Sequence, residues 1–195
     1  MPSFSSLFGS GSTAGDANAS AANTLPANFE CPTVTVRSGA STLTSASEQG
    51  EPTATNLRYQ VSIGNTAREC RGAAGNMVSV KVGIQGRVIL GPQGVPGTVD
   101  VPIRYAVVFD GVPQRTITTR LERISVTVPP DDTNVLFSHV VEGLDFPMPK
   151  AAEIDSYVVY IGFDPVGAQE MDRRKPARPA KPPPPRRQMS HVGQN

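Results

Sequence analysis

From residue 31 to residue 163 the chain alternates apolar and polar residues with a period of two, in short runs separated by turn residues. That period is the signature of a strand half buried on one face. Val34 and Val36 alternate with Thr33, Thr35 and Arg37 and predict a short strand; Ala40 to Leu43 predict a second short piece. Leu57, Tyr59, Val61 and Ile63 then share one face, Gly64-Asn65 predicts a turn before Ala67–Cys70, and Arg71–Gly75 predicts another. The strongest pattern is Met77–Leu90, where Val78, Val80, Val82 and Ile84 oppose Ser79, Lys81 and Gln85. Gly83 and Gly86 inside it predict a bend that lets one strand serve two sheets.

After the loop Gly91–Gly97, the residues Val99, Val101, Ile103, Tyr105 and Val107 face one way. Pro102 has no N–H to donate, so this strand is expected at an edge, or paired on one side only at that point. Asp110-Gly111 predicts a hairpin. The return covers Gln114–Thr119 and then Ile124–Val128, stopped by Pro129-Pro-Asp-Asp132. Asn134–Val141 is a further strand with His139 expected on its solvent side, and Phe146-Pro-Met-Pro149 interrupts the chain again. Tyr157–Phe163 is the last strand; Asp155-Ser-Tyr157 at its start has the look of a tyrosine corner or of an ordinary half-buried strand tyrosine. No stretch has the period of an amphipathic helix. Turn signals every ten or so residues therefore predict an all-β fold: a single immunoglobulin-like antiparallel β-sandwich of about eight or nine strands over residues 30–164.

Composition changes the picture at the two ends. Residues 1–29 are rich in Ser, Gly, Ala and Asn and read as a flexible tether; residues 165–195 mix proline runs with cations and read as a disordered basic tail. The whole chain carries a formal charge of only +1, but the tail holds seven Lys/Arg against two Asp/Glu, which leaves an acidic body of net −4. The tail cations Arg173, Arg174, Lys175, Arg178, Lys181, Arg186 and Arg187 could contact a polyanion such as acidic cell-wall material, peptidoglycan or anionic lipid. The same segment could also be a polyproline ligand or a solvated spacer. It has no aromatic residue for base stacking, so sequence-specific nucleic-acid reading is not expected.

The only cysteines, Cys31 and Cys70, sit at the two edges of the first strand-rich block. They form no Cys-x-x-Cys and have only two histidines, His139 and His191, for company, so a structural disulfide is expected rather than a metal or redox pair. No cofactor is implied: no phosphate-cradling glycine loop opens a helix, and Asp131-Asp132 lie in a turn with too few oxygen ligands for calcium. There is no Gly-x-Ser-x-Gly elbow. A hydrolase using Asp131, Asp132 or Asp145 at one end of the sandwich stays open as the enzymatic alternative, as does a carbohydrate-binding module, although 4 Tyr and no Trp leave few residues for an aromatic platform.

Cys31-Pro-x-Val34, the Ala40-Ser-x-Leu43-Thr segment, Leu57-x-Tyr59 closing on Cys70, and Tyr157-x-Val-x-Ile-Gly-Phe163 together resemble small exported lipoproteins of alphaproteobacterial envelopes. The resemblance covers roughly residues 30–164. It implies a non-enzymatic β-sandwich held in the periplasm, anchored under the outer membrane, and similar to an accessory lipoprotein of the β-barrel assembly machinery with a protein partner in the envelope. It carries over no catalytic residue. The chain departs from the pattern at its start: Met1-Pro-Ser-Phe-Ser-Ser-Leu-Phe-Gly has neither the charged and apolar regions of an export signal nor a lipid-bearing cysteine. No stretch approaches the ~20 apolar residues of a membrane helix.

Overall fold

A computed structural model describes residues 24–47 and 50–174. Eight strands form two four-stranded sheets packed face to face: β1 (Thr33–Val36), β2 (Thr42–Ala46), β3 (Leu57–Ala73), β4 (Met77–Leu90), β5 (Gly97–Phe109), β6 (Arg115–Val128), β7 (Asn134–Pro147) and β8 (Tyr157–Phe163). The first sheet has the order β1-β8-β5-β6 and the second β2-β3-β4-β7. The expected sandwich is therefore present at the level of architecture. One pairing departs from the antiparallel expectation: β1 runs parallel to β8, Thr33 beside Val158 through Val36 beside Ile161. Its short length and edge position let the chain enter the sheet without a hairpin.

The alternating positions fill the space between the sheets. Val99, Val101, Ile103, Tyr105 and Val107 of β5 and Val159 and Ile161 of β8 meet Val78, Val80, Val82, Ile84 and Val88 of β4 and Leu144 and Phe146 of β7, nearly all inaccessible to solvent. At roughly 1.5–3 kcal/mol for each large apolar side chain buried, this set is the main stabilising term of the fold. Tyr157 lies in the same core, its ring 5.4 Å from both Phe146 and Phe109.

Several strands are longer than their patterns suggest. Gly64-Asn65 is a register shift inside β3, between Ile63 and Thr66, and not a turn. β6 runs unbroken through Leu121-Glu122-Arg123, where two separate pieces were expected. β7 continues past Val141 through a second irregularity at Gly143, whose φ of 69° suits a residue without a side chain. β4 stays in one sheet. Gly86 makes room there: a Cβ on it would come 2.4 Å from the Phe137 ring and 2.8 Å from the Ser62 carbonyl, so its smallness serves close packing and not a bend between sheets. Pro102 is paired with Arg123 of β6 on one side, while pairing with β8 begins only at Ile103, which matches the one-sided pairing that its missing N–H predicts.

The clearest correction is at the end of the described chain. Pro165–Arg174, expected inside the disordered tail, form a helix, α1, packed on the body.

Candidate functional site

Cys31 and Cys70 are joined in a disulfide, with Cα atoms 5.6 Å apart. Cys31 precedes β1 in one sheet and Cys70 lies in β3 of the other, so the bond ties the two sheets together along the edge away from β6 and β7. The Arg68 side chain donates to the Cys31 carbonyl at 3.1 Å beside it. Such a bond is consistent with an oxidising compartment outside the cytoplasm. No helix among the described residues is long and apolar enough to cross a membrane.

The three carboxylates considered for hydrolysis are not brought together. Asp131 and Asp132 turn the chain from β6 to β7, and the Asp132 carboxylate accepts from the Asn134 N–H at 2.7 Å, a local turn bond. Asp145 lies opposite Ser79, eleven residues of extended strand further on from Asn134, or about 35 Å. Among the described residues no group of three or more His, Cys, Asp or Glu is placed to hold a metal ion.

Arg173 and Arg174 occupy the last turn of α1, where their charge favours the negative end of the helix dipole. Lys175, Arg178, Lys181, Arg186 and Arg187 lie outside the described residues. What the structure adds is the way in which α1 is held. Asp164 caps the helix, its carboxylate accepting from the Gly167 N–H at 2.8 Å, and Pro165 supplies the fixed φ favoured in a first turn. Arg104, on the outward face of β5, bonds the same carboxylate at 2.5 Å and reaches Thr119 at 3.3 Å. Burial alone would raise the Asp164 pKa, but the Gly167 N–H and the Arg104 guanidinium outweigh it and hold the carboxyl below its ordinary range. At the other end Arg123 of β6 donates to the Ala168 carbonyl and to Asp172, each at 2.6 Å, and to Asp100 at 3.1 Å. Ala168 is the helix's one buried residue. Two arginines projecting outward from neighbouring strands thus clamp a short polar helix whose C-terminal end carries the first cations of the tail.

A groove of about 300 Å³ lies beside the clamp on the same sheet, between Arg37, Ala40, Arg104, Ala106, Tyr160 and Gly162. A Cβ on Gly162 would lie 2.6 Å from the Ala40 side chain, so glycine lets the segment after β1 fold down over β8. The Tyr160 hydroxyl donates to Asp110 at 3.3 Å, which holds the ring along one wall.

His139 is a further correction. Two residues from Phe137, it shares that residue's inward face; its Nε2 is enclosed without a hydrogen-bond partner among the described residues, and its ring lies 6.5 Å from that of Tyr105, whose hydroxyl is in the same position. Burial lowers the His139 pKa against the raising influence of Glu122, and burial, then Glu122, pushes the Tyr105 hydroxyl far up. Alongside, Arg120 reaches across from β6 to the Glu142 and Gly143 carbonyls of β7 at 2.6 and 3.0 Å.

No protein-family model, curated protein or solved structure matches this chain.

Proposed function

We infer that the protein is a non-enzymatic interaction module of the cell envelope: a disulfide-closed sandwich in the periplasm that binds a protein partner and carries a cationic tail to anionic cell-wall or membrane surfaces. The observation that carries this reading is the arginine clamp on α1. A tail serving only as a spacer needs no fixed root, whereas Arg104 and Arg123 fix its root beside the Tyr160 groove, so one face of the sandwich holds both features. The disulfide and the likeness of the Cys31–Cys70 region to exported lipoproteins support the compartment.

The test is site-specific photo-crosslinking of the full chain in its native cells. A photoreactive residue at Tyr160 is expected to give a discrete protein adduct that a control at Ser138, on the outer face of the other sheet, does not give. A chain ending at Arg174 keeps the clamp, and is expected to keep that adduct while losing retention on anionic vesicles and peptidoglycan. Equal adducts at both positions, or none at Tyr160, would overturn the reading.

A further inference from the structure

The first sheet is incomplete along half of β5. β8 pairs with β5 only from Ile103–Phe163 to Phe109–Tyr157, because at Asp164 the chain leaves the sheet to begin α1. The Pro102 carbonyl accepts from the Asp164 N–H at 3.0 Å, which shows that the backbone groups of Pro102 face the β8 side. In an antiparallel strand both backbone groups of a residue point the same way and the direction alternates, so those of Asp100 and Thr98 face that side too. No described strand lies there to meet them. Across the gap runs β2, the edge of the other sheet. The slot between is about 320 Å³, walled by Leu43, Thr44, Tyr59, Asp100 and Pro102, with Ala168 of α1 on its outer side.

We propose that this slot is a docking site for one extended segment of a protein partner, which adds to β5 as the missing continuation of β8. The occupant's chemistry follows from the walls. Its backbone supplies the carbonyls and N–H groups that no described strand offers to Thr98 and Asp100. Its inward side chains are apolar, since they lie over Leu43 and Tyr59, both partly buried against the core. Its outward side chain beside Asp100 is a lysine or arginine, because Asp100 has to share the guanidinium of Arg123 with Asp172. Strand addition to an open edge gives affinity through the backbone and selectivity through alternate side chains. Pro102 and the exposed charge of Asp100 guard the edge against indiscriminate pairing. This rests on the reading of the protein as a protein-binding module and names the kind of partner.

The experiment uses the full oxidised chain and a displayed library of random twelve-residue peptides. Selected peptides are expected to carry apolar residues at alternate positions with an intervening Lys or Arg. They are expected to slow amide exchange at Thr98 and Asp100 at least tenfold and to bind at least tenfold more weakly to Ser45→Trp, whose side chain shares the slot-lining face of β2 with Leu43. N-methylation of alternate peptide residues is expected to abolish binding in one register and spare it in the other. Failure to select any peptide, or binders that leave exchange at Thr98 and Asp100 unchanged, overturns the proposal. The Tyr160 cross-link can succeed while this fails, in which case the partner docks by another surface.

Discussion

Replacing Asp164 by alanine is expected to undock α1 while leaving the sandwich folded. The substitution removes the acceptor for the Gly167 N–H and the partner of Arg104. Loss of a capping side chain costs about 1 kcal/mol, and an exposed ion pair adds up to about 1 kcal/mol more. A helix of ten residues is marginal by itself, and α1 buries only Ala168. A loss of about 1–2 kcal/mol therefore shifts the docked-to-undocked ratio roughly five- to thirtyfold. Amide exchange followed by mass spectrometry reads this directly: protection over Ala168–Met171 is expected to fall by that factor while protection in β4 and β5 is unchanged. Asp164→Asn keeps a capping oxygen but not the charge, and is expected to fall between alanine and the native residue. The pH dependence follows from the direction of the pKa shift. The Asp164 carboxyl titrates lower in the folded protein than its ordinary 3.8, so its contribution is complete above the unfolded value and is lost as pH falls through the folded one. At sufficiently low pH the native protein should therefore exchange like Asp164→Ala. Unchanged exchange over α1 in the alanine variant would refute the clamp, and simultaneous loss of protection in the strands would refute the helix's independence from the core.

The double variant Cys31→Ser, Cys70→Ser is expected to lose about 4 kcal/mol in urea unfolding, the loop entropy of a 39-residue separation, with the spectrum of the folded state retained. His139 has its pKa lowered by burial, so it favours the folded state when neutral; that contribution is present above about pH 6.5 and is lost as pH falls from there through the folded value, and His139→Asn is expected to flatten the stability profile across this interval. Gly86→Ala is expected to cost about 1–3 kcal/mol by driving a methyl group into Phe137, with part of the loss recovered when Phe137→Leu is added.

Much of the fold was written in the period-two pattern because each strand buries one face. Tyr157–Phe163 reads to the residue, and the cysteine pairing follows from there being only two. Three of the differences share a cause, which is that polar side chains do structural work. Arg120 and Glu122 are where β6 meets β7 along the edge, so the apolar pattern lapses where the strand does not. His139 carries a polar ring on an inward position. The helix was missed because its dock is built from two arginines and a carboxylate and only one buried alanine, leaving almost no apolar period to detect. Asp164-Pro165 is nonetheless a recognisable helix start, a capping residue followed by a first-turn proline, and it was the one available signal. The slot beside β5 had no such signal, since the length over which β8 pairs is set by where α1 begins.

The Cys31–Cys70 disulfide is consistent with an oxidising, non-cytoplasmic compartment, and the thiol state in the native host tests the proposed location most directly. Cells quenched in acid and alkylated before and after reduction should yield full-length protein in which Cys31 and Cys70 are labelled only after reduction. Labelling of both cysteines before reduction would contradict it.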